Sequence, residues 1–175
     1  IAFNIQENNW LGEGKKIGLD FELSEESLKG QFNYTNPNYD LLGNSITYNL
    51  KNITNDKPLQ GYENSIFGVG ASTRFEQYEN VFADLGINMS HDDLKTNSNA
   101  SSTLKKQAGE FTELTGTYGL IYDRRDRSFM PTSGSIMSFR QTLPIYADKP
   151  FFDNSVSASF YNSLSEDYIL SSKFF

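Results

Sequence analysis

The chain has 175 residues and a formal charge of −7, from 15 basic and 22 acidic side chains. That balance argues against a nucleic-acid-binding face, which selects for Lys and Arg, and the absence of cysteine excludes a disulfide framework and a thiolate metal site. Apolar residues make up only 37 %, and no segment reaches the roughly 18 apolar residues of a spanning helix, but a membrane β-barrel gives a far weaker signal per segment and is compatible with this composition.

Read in chain order, the sequence alternates with period two almost throughout. Ile1, Phe3 and Ile5 share one face; Ile17, Leu19, Phe21 and Leu23 share the next, opposite Gly18, Asp20 and Glu22. Leu28, Phe32 and Tyr34 oppose Lys29, Gln31, Asn33 and Thr35, and Ile46, Tyr48 and Leu50 oppose Thr47, Asn49 and Lys51. Phe67, Val69, Ala71 and Phe75 follow, then Val81, Ala83, Leu85, Ile87 and Met89. Leu114, Gly116, Tyr118, Leu120 and Tyr122 run up to a charged turn, and Met137, Phe139, Gln141 and Leu143 leave it. Phe152, Val156, Ala158 and Phe160 form another face, and Tyr168 to Phe175 begin one more. The pattern predicts about ten strands, with no competing helical stripe.

The connections fall into two sets that an up-and-down meander puts at opposite ends. One set is Asn9–Lys15, Asn36–Gly43, Glu76–Glu79, Asp123–Gly134 and Ser163–Asp167; the other is Ser24–Ser27, Asn52–Asn64, Asp92–Gln107 and Pro144–Phe151. The second set contains the longest polar stretches, as the outer loops of an outer-membrane barrel do. Two architectures share this alternation: a soluble β-sandwich or lipocalin-like barrel, and a membrane barrel. Aromatic residues gather near strand ends, at Trp10, Tyr34, Tyr39, Tyr62, Phe67, Phe75, Tyr78, Tyr118, Tyr122, Phe129, Phe151 and Phe152, which favours the membrane barrel with its aromatic girdles.

Three turns of the first set carry motifs. Asn9, Leu11, Gly12 and Gly14 spell N-x-L-G-x-G; Thr35, Pro37 and Tyr39 spell T-x-P-x-aromatic; Asp123, Arg125, Asp126, Phe129, Pro131, Thr132 and Gly134 spell D-x-R-D-x-x-F-x-P-T-x-G. In this order and on one end, they resemble the internal turns of the BamA family of outer-membrane assembly insertases. The resemblance implies an all-β, antiparallel, up-and-down transmembrane barrel of about sixteen strands. Residues 1–175 would form a partial barrel domain, from about the second strand to the eleventh, with periplasmic repeats upstream and closing strands downstream. A chain that opens on Ile1-Ala2-Phe3, without Met or a signal peptide, fits a piece of something longer.

The function so implied is assembly and insertion of outer-membrane proteins in the bacterial outer membrane. Expected partners are the outer-membrane lipid bilayer, client outer-membrane proteins and periplasmic assembly lipoproteins, with no nucleic acid and no cofactor. The alternatives are a related barrel for translocation and secretion, and a small complete porin-like or adhesin-like barrel. No enzyme is expected. His91 is the only histidine and stands beside Asp92 and Asp93 without the ligand spacing of a metal site. Gly68-Val69-Gly70 belongs to a strand rather than a phosphate loop. The charged turn reads as a structural one, in which carboxylates bond backbone N–H groups and Arg caps carbonyls. Asn52-Ile53-Thr54, Asn88-Met89-Ser90 and Asn99-Ala100-Ser101 formally match the glycosylation acceptor, which is idle in a bacterial envelope protein.

Overall fold

The computed structural model describes residues 1–165 and 168–175. The last two positions of the expected Ser163–Asp167 turn lie outside them. The described chain forms one antiparallel sheet of ten strands in sequential order: β1 (Ala2–Trp10), β2 (Lys15–Leu23), β3 (Ser27–Asn36), β4 (Ser45–Lys57), β5 (Tyr62–Tyr78), β6 (Val81–Thr96), β7 (Gly109–Asp123), β8 (Gly134–Ala147), β9 (Asp153–Ser163) and β10 (Ile169–Phe174). A single helix among the described residues, α1 (Ser102–Gln107), interrupts the meander between β6 and β7. The sheet curves without closing, since β1 pairs only with β2 and β10 only with β9.

Register makes the two faces chemically different. Paired residues share a face, and one row runs Ile5, Leu19, Phe32, Leu50, Val69, Met89, Leu114 and Tyr146 across eight strands. The row beside it runs Gln6, Gly18, Asn33, Asn49, Gly70, Asn88 and Thr115 on the other face. The polar face is concave and encloses a trough of about 760 Å³, lined by residues that include Thr47, Asn49, Lys51, Asn88 and Thr117.

The apolar face has no second layer. Among the described residues no large side chain is fully buried, and Leu19 and Val69 keep 39 % and 43 % of their surface. A sandwich would hide these rows against a second sheet; here they form a continuous exposed band, far larger than a soluble monomer presents. The band is solvated by lipid, and the concave face is an aqueous lumen. The soluble alternative is thereby set aside, and the all-β partial transmembrane barrel stands.

Four expectations are corrected at the outer end. Asn52–Asn64 is not a loop: β4 runs to Lys57, β5 starts at Tyr62, and only a four-residue turn separates them. Likewise β6 continues through Asp92 to Thr96, and β8 through Pro144 to Ala147. The alternation does not stop there; its polarity reverses. Outward positions become Thr54, Asp56, Ser65, Glu63, Asp93 and Lys95, whereas the inward face acquires Ile53, Ile66, Leu94 and Phe111. Beyond the bilayer the outside is water, so the apolar residues turn inward. Pro144 sits at a register shift opposite Thr115, the kind of strand irregularity where a residue without an N–H is tolerated.

The fourth correction is α1, which the pattern does not predict. Six residues are too few to show a 3.6-residue stripe. The helix starts where the Ser101 hydroxyl accepts from the Leu104 amide at 3.2 Å, and ends on Lys105 and Lys106, which suit its C-terminal dipole. Below it, the β4–β5 turn docks on the preceding loop, with Asn97 N donating to Gly61 O at 2.9 Å. Gly61 has φ +79°, and a Cβ there would lie 2.3 Å from Ala100 N.

Candidate functional site

Two groups of residues stand out: the motif turns at the inner end of the sheet, and an ion cluster on the lumenal wall.

The β7–β8 turn is held by Asp126. Its carboxylate accepts from Thr132 N at 2.9 Å, Thr132 Oγ1 at 2.7 Å and Ser133 N at 3.1 Å, while Asp126 N donates to Ser133 O at 3.1 Å. The Thr132 hydroxyl, then the Ser133 amide, hold the Asp126 carboxyl down at about 2. Asp123 forks Arg125, with Nε to Oδ1 at 2.8 Å and Nη2 to Oδ2 at 2.6 Å, and Arg125 Nη1 reaches Ser128 O at 3.3 Å. Gly134 closes the loop at φ +96°; a Cβ there would stand 2.0 Å from Arg124 O, so no other residue fits unchanged. Pro131 leads into Thr132, and Phe129 and Met130 point into solvent at the apex.

The β1–β2 turn is tight. Glu13 N donates to Trp10 O at 3.2 Å, and Leu11 and Gly12 both have positive φ, at +56° and +76°. Right-handed strand twist favours such a type I′ geometry. Asn9 Oδ1 accepts from Gly14 N at 2.7 Å, and Gly14 also has positive φ. In the β3–β4 turn Thr35 Oγ1 lies 3.0 Å from Thr47 Oγ1 on the lumenal face, Asn36 precedes Pro37, and Tyr39 N donates to Asn44 O at 2.9 Å. Asp40 organises the tip by accepting from Leu42 N and Asn44 N, both at 3.0 Å.

All three motifs thus lie at one end, and each turn is closed by a side chain bonding its own backbone. Their tips share a property that the motifs alone did not show: Leu11, Leu41, Leu42, Phe129 and Met130 are all exposed. His91, by contrast, faces outward on β6, where Nδ1 lies 2.9 Å from Thr112 Oγ1; no group of three or more acidic or His side chains suited to a metal occurs among the described residues.

The lumenal cluster escaped the sequence reading. Asp84, only 8 % exposed, accepts from Arg74 Nε at 2.6 Å and Arg74 Nη2 at 3.0 Å, and from Arg140 Nη2 at 3.2 Å. The register explains it: one lumenal row reads Ser45, Arg74, Asp84, Gly119, Arg140 and Ser155. The side-chain-free Gly119 lets Arg140 cross a strand to reach Asp84. Arg74 and Asp84 flank the tight Glu79-Asn80 turn almost symmetrically, a signal that could have paired them; Arg140 needed the full register.

Comparison with known proteins agrees with this geometry. The Omp85 superfamily domain matches residues 9–174. The crystal structure of BamA from Haemophilus ducreyi lacking POTRA domains 1-3 superposes with a TM-score of 0.72 at 22 % identity, covering 97 % of this chain and 36 % of that one. Sorting and assembly machinery component 50 homolog A of Xenopus laevis is 20 % identical over 181 residues, covering 98 % of this chain and 37 % of its own length. The chain therefore spans just over a third of the length of these relatives. It belongs to the Omp85 superfamily, as part of an outer-membrane β-barrel with the BamA fold.

Proposed function

We propose that this chain is barrel wall from a factor that folds and inserts other β-barrel proteins into the bacterial outer membrane. Residues 1–175 act as one partial barrel domain. The motif residues of the inner turns, Asp126 and Gly134 above all, hold strand geometry, and the exposed turn tips beside them offer contacts to periplasmic assembly lipoproteins. The activity needs no bound cofactor and makes or breaks no covalent bond.

One observation carries the reading. The lipid-facing belt is not uniform in height. On β2 it runs from Ile17 to Leu23 and on β3 from Leu28 to Tyr34; on β5, β6 and β7 it runs from Phe67 to Phe75, Val81 to Met89 and Leu114 to Tyr122. Six residue steps against eight correspond to about 20 Å and about 27 Å along the strands. Strands tilted by about 45° lower those to about 14 Å and 19 Å. The bilayer must thin by about 5 Å beside β2–β3, at a cost of a fraction of a kcal/mol per Å. A thinned, strained bilayer is where an incoming strand pair crosses most easily, because fewer unpaired backbone groups meet hydrocarbon on the way. Membership of a superfamily with relatives named for sorting and assembly supports the same reading.

The test is reconstitution of the full-length protein in liposomes and measurement of client barrel folding against protein-free liposomes. Faster folding is expected. The double variant K15L/N36L, which adds an apolar row below Ile17 and Tyr34, should slow it about fivefold by removing about 1 kcal/mol of lowered barrier. Client folding at the protein-free rate, together with passive solute flux, would instead indicate a porin-like barrel.

A further inference from the structure

We propose that Arg124, with the hydroxyls of Tyr122 and Ser135, forms a site for the headgroup phosphate of a phospholipid in the inner leaflet of the outer membrane. The register places it. Tyr122 pairs with Val81 and Met137 and ends the lipid-facing belt on β7. Arg124 N donates to Ser135 O at 2.8 Å, so the ladder runs one residue past β7 and position 124 keeps the lipid-facing side of Tyr122. Arg124 Nη1 comes within 3.4 Å of Tyr122 Oη, so the guanidinium turns back along that side toward the belt. Ser135, two residues before Met137 on β8, shares the same face.

Arg124, Arg125 and Arg127 differ in what holds them. Arg125 is forked by Asp123 and reaches Ser128 O, and Arg127 Nε lies 3.6 Å from Asp126 Oδ2. Arg124 is exposed and, among the described residues, has no carboxylate within ion-pair reach; Glu79 acts on it only from a distance. One of the five N–H donors of its guanidinium meets Tyr122 Oη, an acceptor whose own proton stays free to donate. Ser135 is half-buried, and its hydroxyl has no hydrogen-bond partner among the described residues. The charged turn thus spends Arg125 on its own closure and leaves the Arg124 donors open on the membrane side.

Why a lipid phosphate rather than a free anion? Position 124 lies two residues beyond Tyr122, which at a strand tilt of about 45° is about 5 Å past the end of the apolar belt. The polar layer of each leaflet is about 5 to 8 Å deep, so the guanidinium stands at headgroup level, continuous with the lipid-facing band. Arg takes a phosphate through two parallel N–H···O bonds, and the two hydroxyls can donate to the remaining oxygens. A tyrosine at this height keeps its ring against acyl chains and its hydroxyl in the polar layer. Exposed ion pairs contribute little in water, so a free phosphate gains little here. A phospholipid is also held by its chains, which lie along Val81 and Met137.

Native mass spectrometry of the full-length protein in detergent tests this, with dioleoyl phosphatidylglycerol as the probe. Dioleoylglycerol, which has the same chains and no phosphate, and inorganic phosphate are the controls. The first phosphatidylglycerol should bind more tightly than dioleoylglycerol, and excess inorganic phosphate should not displace it. R124Q should weaken that first binding about tenfold, as the loss of one charge-assisted contact does. R127Q removes the same charge from the same turn and should leave the binding unchanged. Y122F should weaken it less than R124Q, and it carries the test if heat-modifiable migration shows that R124Q does not fold. Unchanged binding in the variant that carries the test, an equal loss in R127Q, equal binding of dioleoylglycerol, or displacement by inorganic phosphate would each overturn the site.

Discussion

The β2–β3 hairpin and the β5–β7 wall obey the same alternation but end differently. In β2–β3 the strands have nine and ten residues and stop at the Ser24-Glu25-Glu26 turn, where the apolar belt stops. In β5–β7 they have 17, 16 and 15 residues and continue past the belt, reversing polarity so that Ile66, Leu94 and Phe111 face inward above the lumen. Strand length is thus set by two solvents in turn. One side carries the shorter apolar belt, and the other is a taller wall with a polar outer rim.

The largest expected effect comes from charging the two belts. Leu85 is central on β6, four residues from each end of its belt, and L85R should cost about 3 to 4 kcal/mol. Leu19 lies two residues from the inner limit of the shorter belt, and L19R should cost only about 1 to 2 kcal/mol because the guanidinium reaches headgroups sooner. Urea unfolding of both variants in lipid vesicles measures the difference; equal costs would mean belts of equal height.

Next comes the turn that anchors the wall. G134A forces a Cβ against Arg124 O in a left-handed backbone and should destabilise by about 2 to 3 kcal/mol in the same assay. The Asp126 clasp in that turn gives a smaller, pH-dependent effect. Its folded pKa of about 2 lies below the ordinary 3.8, so its contribution is full above about pH 4 and is lost as pH falls through 2. Amide exchange at Thr132 and Ser133 should accelerate across that window, and D126N should remove the step. The smallest effect sits at the other side of the comparison. L11N replaces a strained left-handed Leu by a residue that tolerates that backbone, and should stabilise the β1–β2 turn by about 0.5 to 1 kcal/mol, read as a higher urea midpoint.

The same contrast explains what the sequence disclosed. Where lipid faces one side and water the other, Leu19, Phe32 and Leu50 alternate with Asn33 and Asn49, and ten strands with their turn ends were legible. Above the bilayer, Asn52, Thr54 and Asp56 broke that parity and read as loop, although Ile53 was continuing the strand on the opposite face. Helix α1 lies in a polar tract and starts from a single Ser cap, too little to show a period. The lumenal triad depended on a register that Arg140, 56 residues from Asp84, reveals only once Gly119 is known to lie between them. The motif turns were visible because their closure is local: Asp126, Asn9 and Asp40 bond backbone groups within seven residues.

The lipid–lumen assignment is tested most directly on β6. The chain carries no cysteine, so single cysteines can be placed from Leu85 to Ser90 and labelled in the membrane-embedded protein. Labels at Leu85, Ile87 and Met89 should be quenched by brominated lipid, and those at Gly86, Asn88 and Ser90 by a water-soluble quencher. Uniform access from water at all six positions, or quenching with the opposite parity, would contradict the account.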